Sequence, residues 1–175
     1  MLAASAELGY LAVTVEDVLE RYGGNRAQFY RHFSNLGECF LAAYRDEAGR
    51  LCDGMLRAGA AAEGWKEGLH AAIQILVTFV VERPLVARAL TIDVQLAGEP
   101  AQEARKEMYE RLSRAIDSAR RETESRHSPP PLTALFMVSA IDAAVVAALV
   151  RGEPESFAEA APELEQLVVS AYFGE

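Results

Sequence analysis

The sequence predicts an all-α protein, with an N-terminal three-helix domain built on a helix-turn-helix and a larger helical domain after it. Three observations predict this class. No stretch of the 175 residues alternates apolar and polar side chains as a half-buried strand does. Apolar residues instead recur every three or four positions. Proline or glycine stands where these periodic stretches begin or end.

The helices after residue 35 are predicted from this periodicity and from proline and glycine. The first of them runs from Glu38 to about Ala60. Pro84 and Pro162 are placed in first turns, where a missing N–H is not needed, and Gly152 ends a helix. The remaining predicted helices span residues 65–81, 84–96, 100–128, 132–150 and 162–173.

Composition and charge restrict the possible partners and the compartment. Seventeen Lys and Arg against 26 Asp and Glu give a net charge of −9, which opposes general adhesion to nucleic acid or anionic membranes. A local basic patch remains compatible with this balance. The first residues match neither a signal peptide nor a transit peptide, so we expect a cytoplasmic protein. Cys39 and Cys52 lack metal or redox spacing and are interpreted as packing residues, with a thiol sensor as the alternative.

One segment, residues 132–150, is long and apolar enough to span a bilayer. Its only charge, Asp142, lies near the middle, where insertion costs roughly 2.5–3.5 kcal/mol. A helix that is apolar on nearly all sides is equally expected where its own core covers one side and a second subunit covers the other. We favour this buried helix over a membrane span.

A capping pattern predicts a short helix at residues 15–22. Thr14 precedes Asp17 by three positions, so its hydroxyl can accept the backbone N–H of Asp17. The predicted buried face consists of Val15, Val18, Leu19 and Tyr22. Gly23 ends the helix because glycine tolerates the positive φ that a helix C-terminus often requires.

Asn25 and Gln28 repeat the capping pattern and predict a second helix over residues 26–32. Phe29 and Phe33 lie four positions apart and are predicted to enter the core. Two short helices joined by a glycine turn form a helix-turn-helix.

The exposed side of the second helix is basic. Residues 21–33 contain three arginines and one histidine but no carboxylate. Arg26 and Gln28 lie at the N-terminal end of the helix, which reaches base edges in the major groove, where arginine suits guanine and glutamine suits adenine. Tyr30, Arg31 and His32 follow one turn later and can donate hydrogen bonds to phosphates. The alternative is a solvated helix face without a partner.

These residues resemble the TetR-type family of bacterial transcriptional regulators. The matching pieces are Gly9-Tyr10, Thr14-Val15, Gly23 and Phe29-Tyr30-Arg31-His32-Phe33, which is similar to the family's F-Y-x-H-F run. The resemblance implies six further helices and a homodimer formed through the last two. It also implies a repressor that binds a palindromic DNA operator and is released by a small-molecule effector. The implied DNA contacts are Thr14, Arg26, Ala27, Gln28, Tyr30, Arg31 and His32, with Tyr30 and His32 on phosphates and residues 26–28 facing bases.

The sequence departs from the family pattern at two places. Leu36 and Gly37 stand where the family commonly has a lysine that contacts phosphate, and only eight residues precede Gly9. These departures favour an alternative function, a helical ligand-binding or interaction protein that has lost or weakened its DNA binding.

The domain boundary is placed after residue 44, with a DNA-binding domain at 1–44 and a ligand-binding and dimerisation domain at 45–175. A mostly apolar effector is expected, because few charges are available to line a cavity. The predicted ligand-binding residues are Trp65, Leu69, Ile73, Met108, Phe136 and Asp142. Asp142 either contacts a polar atom of the effector or is hydrogen-bonded within the bundle or at the subunit interface.

The sequence contains no pattern typical of an enzyme. A nucleophile with a base and an orienting group, a phosphate loop and a metal cluster are all missing from it. Three dispersed histidines do not make a metal site, and His70 is interpreted as a core residue. We therefore expect no catalysis, no cofactor and no metal.

Overall fold

The computed structural model describes residues 1–118 and 129–173, and no strand occurs in these two ranges. The helices are α1 (Leu2–Leu8), α2 (Val15–Tyr22), α3 (Arg26–His32), α4 (Leu36–Ala60), α5 (Trp65–Glu82), α6 (Pro84–Thr91), α7 (Glu99–Asp117), α8 (Thr133–Arg151) and α9 (Glu155–Phe173). A 3₁₀ turn, Asp93–Gln95, lies between α6 and α7. The all-α class, with an N-terminal helix-turn-helix and a larger helical part, is confirmed.

Helix α4 connects the two parts of the protein. It packs against α5 and also against α7, while α1 packs on α6. Phe40 and Tyr44 of α4 belong to a buried cluster that includes α1–α3 side chains as well as Leu90 of α6 and Ala104 of α7. The boundary after residue 44 remains a prediction, because α4 runs unbroken through it and the cluster extends across it.

Helices α4 and α5 meet through their backbones near the connection between them. A Cβ atom added at Gly68 would lie 2.7 Å from the carbonyl oxygen of Gly59. Real Cβ atoms essentially never approach this closely, so the contact requires glycine at position 68. Because Gly68 has no side chain, α4 and α5 can approach each other closely at this point.

The predicted helix at residues 84–96 is wrong beyond Thr91, where α6 ends. Asp93 is buried and accepts a hydrogen bond from the Ser5 hydroxyl of α1 at 2.8 Å. Val94 is fully buried in the same cluster of side chains. The 3₁₀ turn lets both residues contact the N-terminal part, so tertiary packing overrides the helical periodicity here. Burial raises the pKa of the Asp93 carboxyl above its ordinary value.

The predicted start of the last helix at Pro162 is also wrong. Helix α9 begins seven residues earlier, at Glu155, and Pro162 lies inside it. A proline in a helix interior removes one backbone hydrogen bond and is costly. Phe157 and Ala161, each 1% exposed, are buried on the two turns that precede Pro162. Tertiary packing of this apolar face stabilises the helix despite the proline.

Two smaller differences have local causes. Helix α4 begins at Leu36 instead of Glu38, because the Asn35 side chain accepts the Glu38 N–H at 2.9 Å and caps the helix earlier. His70 is not a core residue: its side chain is 61% exposed, and its Nδ1 lies 2.9 Å from the Glu165 carboxylate. The predicted end of the helix over residues 100–128 lies outside the described residues.

Among the described helices, α8 alone is long and apolar enough to cross a membrane, and 28% of its apolar window is buried. A helix inside a bundle passes the same test of length and composition. Helix α8 packs against α6, α7 and α9. The opposite face keeps Leu135, Phe136 and Val150 exposed, which leaves an apolar surface on one side of the helix.

Candidate DNA-binding surface and ligand cavity

Reciprocal capping fixes both helices of the helix-turn-helix, as predicted. The Thr14 hydroxyl oxygen accepts the Asp17 N–H at 3.2 Å, and the Asp17 carboxylate accepts the Thr14 N–H at 2.8 Å. Asn25 and Gln28 repeat this arrangement at 3.0 and 3.1 Å. Gly23 lies between the helices with a φ of 78°, a conformation that side chains other than glycine rarely adopt.

The core of this motif matches the sequence interpretation except at one residue. Val15, Val18 and Phe29 are buried, and Phe33 is half-buried with its ring centre 5.5 Å from that of Phe29. Tyr22 was predicted on the buried face, but its side chain is 58% exposed. It lies at the last position of α2, beside the glycine turn, where the helix no longer faces the core.

The residues predicted to contact DNA all lie on the protein surface. They are Thr14, Arg26, Ala27, Gln28, Tyr30, Arg31 and His32, and each is exposed. Six of them come from α3, in which only Phe29 is buried, so this short helix projects from the surface on most of its sides. The contacts themselves remain predictions.

Carboxylates from other helices reduce the positive charge of this surface. Glu16 of α2 forms an ion pair with Arg26, and Glu7 of α1 accepts a hydrogen bond from Arg21 Nη1 at 2.9 Å. Arg31 forms no ion pair with any residue in the described ranges. Neither ion pair could be predicted from the sequence, because Glu16 lies 10 residues from Arg26 and Glu7 lies 14 residues from Arg21.

A cavity of about 690 Å³ lies between α4, α5, α6, α7 and α8. This volume is within the range of roughly 300–1,000 Å³ that is usual for small-molecule sites. Five of the six predicted ligand-binding residues line it: Trp65, Leu69, Ile73, Met108 and Asp142. Phe136 does not, since it is 68% exposed on the outer side of α8. Positions 136 and 142 are six residues apart and point about 120° away from each other on an α-helix.

A polar cluster reaches the cavity wall through Tyr109 and Asp142. The Arg105 guanidinium donates to the Asp142 carboxylate at 2.7 Å and to the Tyr109 hydroxyl oxygen at 2.6 Å. It also lies 4.8 Å from the centre of the Tyr109 ring. Asp142 is therefore hydrogen-bonded within the bundle and also borders the cavity. Asp142 was predicted from the sequence, whereas Arg105 and Tyr109 were not.

The neighbouring Tyr44 hydroxyl is buried and has no hydrogen-bond partner among the described residues. Burial raises the pKa of the Tyr44 phenol, and burial followed by the nearby Asp142 charge raises the pKa of the Tyr109 phenol. Both phenols are therefore neutral throughout the physiological range and can act as hydrogen-bond donors.

The two cysteines are buried and free. Burial raises the pKa of the Cys39 and Cys52 thiols, which makes the reactive thiolate scarcer. This environment favours packing residues over a thiol sensor. Within the described ranges, no three His, Cys, Asp or Glu side chains are arranged to hold a metal ion.

The arrangement of helices is similar to that of two solved proteins. It is similar to the fatty acid degradation regulator FadR from Bacillus halodurans, with a TM-score of 0.83 and 14% identity over 95% of this chain and 94% of that chain. It is also similar to the transcriptional regulator FadR from Bacillus subtilis in complex with stearoyl-CoA. That comparison gives a TM-score of 0.81 and 14% identity over 97% of this chain and 96% of that chain. No protein-family model and no curated protein matches the sequence.

Proposed function

We propose that this protein is a ligand-responsive transcriptional regulator of the TetR type, a cytoplasmic repressor that binds a palindromic DNA operator as a homodimer. The observation that carries the proposal is that α3, capped at its N-terminus by Asn25 and Gln28, exposes side chains that are able to bond bases and phosphates. The shared fold with two regulators supports it. The assignment to the TetR type rests on the motif at residues 9–33.

In this function, α3 enters the major groove. Arg26 and Gln28, at its N-terminal end, face base edges, because that end of a recognition helix lies deepest in the groove. Tyr30, Arg31 and His32 donate to phosphates and fix the position of the helix on the duplex.

A second copy of the chain supplies the other recognition helix. Exposed apolar side chains cluster on the last two helices: Leu135, Phe136 and Val150 on α8 and Leu167 on α9. Large apolar side chains exposed on neighbouring helices are typical of a protein interface. Burying these side chains against the same surface of another subunit places the two α3 helices in a symmetric pair, as a palindromic operator requires.

The effector is a molecule with a long apolar part that enters the cavity. The lining is mostly aliphatic and aromatic, and the Bacillus subtilis regulator with the same fold was solved with stearoyl-CoA. Cavity residues Leu51, Cys52 and Met55 belong to α4, which begins directly after the helix-turn-helix. A ligand that favours a different position of α4 shifts the dimer away from the geometry that fits DNA.

Selection of duplexes from a random library by the purified protein tests DNA binding. The expected result is a palindrome whose half-sites are centred about 10 base pairs, or a multiple of that distance, apart. Failure to enrich any sequence would instead support the alternative, a ligand-binding or interaction protein with lost or weakened DNA binding. Leu36 and the pairing of Arg21 and Arg26 with carboxylates are the features that favour this alternative.

Trp65 provides a direct test of the cavity, since it is the only tryptophan in the chain and lines the cavity wall. Titration with stearoyl-CoA and with free fatty acids should change its fluorescence and release the selected duplex. Ile73→Phe adds volume inside the cavity and should weaken the response. Leu11→Phe, at a position 81% exposed on the surface, is the matched control. An unchanged Trp65 signal with every acyl ligand would exclude this effector class.

A further inference from the structure

A carboxylate of α2 pairs with the arginine that opens the recognition helix. Arg26 is the first residue of α3, and its Nη1 forms an ion pair with Glu16. The same guanidinium lies 5.7 Å from the centre of the Tyr30 ring, and its Nη2 donates to the Tyr30 hydroxyl at 3.4 Å. The group proposed to contact DNA is therefore held by two neighbours in the free protein.

This pair lies on the surface that faces DNA in the proposed function. The Arg26 side chain is 61% exposed and that of Glu16 is 54% exposed. Glu16 is the second residue of α2, the helix that crosses the DNA backbone in a helix-turn-helix. The pair carries no net charge, so it adds nothing to the sequence-independent attraction between protein and phosphates.

We propose that Glu16 increases the specificity of DNA binding. Its ion pair with Arg26 stays closed next to the phosphates of unrelated DNA and opens when Arg26 meets a base that offers two hydrogen-bond acceptors. The inference rests on the proposed DNA-binding function and adds a positioning residue to it. Glu16 acts through Arg26 and needs no contact of its own with the operator.

The sizes of the competing interactions agree with this role. An exposed ion pair changes an equilibrium by at most about five-fold. With roughly six to ten phosphate contacts, the association constant for non-specific DNA reaches only about 10⁴–10⁶ M⁻¹ at physiological salt. Each phosphate contact therefore raises this constant only a few-fold. A bidentate arginine–guanine contact changes binding by about 5- to 150-fold. Guanine can therefore displace Glu16 from Arg26, whereas a single phosphate gains little by doing so.

The test compares Glu16→Gln with Glu20→Gln. Glu20 lies on the same helix, is exposed, and forms no ion pair with the described residues, so its variant makes the same change in net charge without freeing an arginine. Fluorescence anisotropy would measure binding to two duplexes of equal length over a range of KCl concentrations. One duplex has random sequence, and the other carries the palindrome recovered by selection.

Glu16→Gln should bind the random duplex more tightly than the wild type, by about two- to five-fold for each recognition helix that contacts it. The slope of log K against log [KCl] should become steeper by about one for each recognition helix, because one more arginine reaches a phosphate. The gain on the palindrome should be smaller, so the ratio of specific to non-specific affinity falls. Glu20→Gln should alter both duplexes alike and leave this ratio unchanged.

A double variant completes the test. In an Arg26→Gln background, Glu16→Gln should have no more effect than Glu20→Gln. The inference is overturned if Glu16→Gln behaves like the wild type or like Glu20→Gln, or if its gain persists without Arg26. Loss of DNA binding in every protein, the wild type included, overturns the proposed function as well. If the wild type binds DNA and Glu16→Gln binds it with the same affinity, only this inference is overturned.

Discussion

The Arg105 guanidinium of α7 donates to the Asp142 carboxylate of α8 at 2.7 Å, and their side chains are only 22% and 18% exposed. This ion pair joins two helices beside an apolar cavity. Because both groups are largely removed from water, losing one partner costs more than losing an exposed pair does.

Asp142→Ala should therefore lower the free energy of unfolding by about 1–3 kcal/mol, since it leaves a mostly buried guanidinium without its carboxylate. The double variant Arg105→Met/Asp142→Leu removes both charges and should be more stable than Asp142→Ala. Urea unfolding followed by circular dichroism at a fixed protein concentration measures both. A double variant less stable than the single variant would contradict this account.

The ion pair between Glu47 and Arg83 should make stability sensitive to acid. Arg83 donates to both carboxylate oxygens, at 2.8 and 3.0 Å, and these bonds hold the pKa of Glu47 below its ordinary value. A lowered folded-state pKa stabilises the protein above the unfolded-state pKa of about 4.3, and this contribution disappears as the pH falls through the folded-state value.

Glu47→Gln should lose about 0.5–1 kcal/mol at pH 7, because the Glu47 side chain is 19% exposed but Arg83 is 46% exposed. The difference from the wild type should shrink towards zero below about pH 4. Denaturant unfolding over a pH series measures it. Glu82→Gln, at an exposed neighbouring position, is the control and should show no such pH dependence.

The cap of the recognition helix should contribute measurably to stability. Asn25→Ala removes the oxygen that accepts the Gln28 N–H at 3.0 Å, and we expect a loss of about 1 kcal/mol. Thermal and urea unfolding would detect it. Ser34→Ala changes another small polar residue two positions after the end of α3 and should lie within about 0.5 kcal/mol of the wild type. Equal losses in the two variants would mean that the cap is not the cause.

Arg31 should contact phosphate in the DNA complex. It forms no ion pair with the described residues and is exposed, so it is available for that contact. Arg31→Gln should flatten the slope of log K against log [KCl] by about one for each recognition helix. Arg57→Gln, an equal charge change near the far end of α4, should leave the slope nearly unchanged. An unchanged slope in Arg31→Gln would count against phosphate contact.

The apolar face of α8 should hold the dimer together. Phe136→Glu places a charge at a position that is 68% exposed in the single subunit, and it should weaken the subunit association because an unpaired charge would then be buried. Sedimentation velocity measures the proportion of dimer. Leu11→Glu introduces the same charge at a position that is 81% exposed elsewhere and should leave the dimer intact. A monomeric wild type would refute the interface.

The features that could be predicted from the sequence are those with local causes. Thr14 with Asp17 and Asn25 with Gln28 are three residues apart, so their hydrogen bonds follow from spacing alone. The helices α2 and α3 were accordingly predicted at their observed bounds. Five of the six residues predicted to bind a ligand also line the cavity, because a wide apolar helix face must line either a core or a cavity.

The remaining features depend on contacts between distant segments. Arg105 meets Asp142 across 37 residues, and no periodicity indicates which charged residue on α7 turns inward. Asp93, in the 3₁₀ turn, accepts a hydrogen bond from Ser5, which lies 88 residues away in the sequence. Pro162 looked like a helix start because its ring suits a first turn, but the packing of the preceding turns extended α9 past it. In each case the structure is set by contacts between distant segments and not by the preferences of the local sequence.

The backbone contact between Gly59 and Gly68 has a consequence for how selectivity can change. Both glycines border the cavity, and a Cβ atom at position 68 would lie 2.7 Å from the Gly59 carbonyl oxygen. Any side chain at position 68 therefore forces α4 and α5 apart at this point. Adaptation to effectors of different thickness therefore has to proceed through side chains elsewhere on the cavity wall, such as Ile73 and Met108, which can be exchanged without moving this contact.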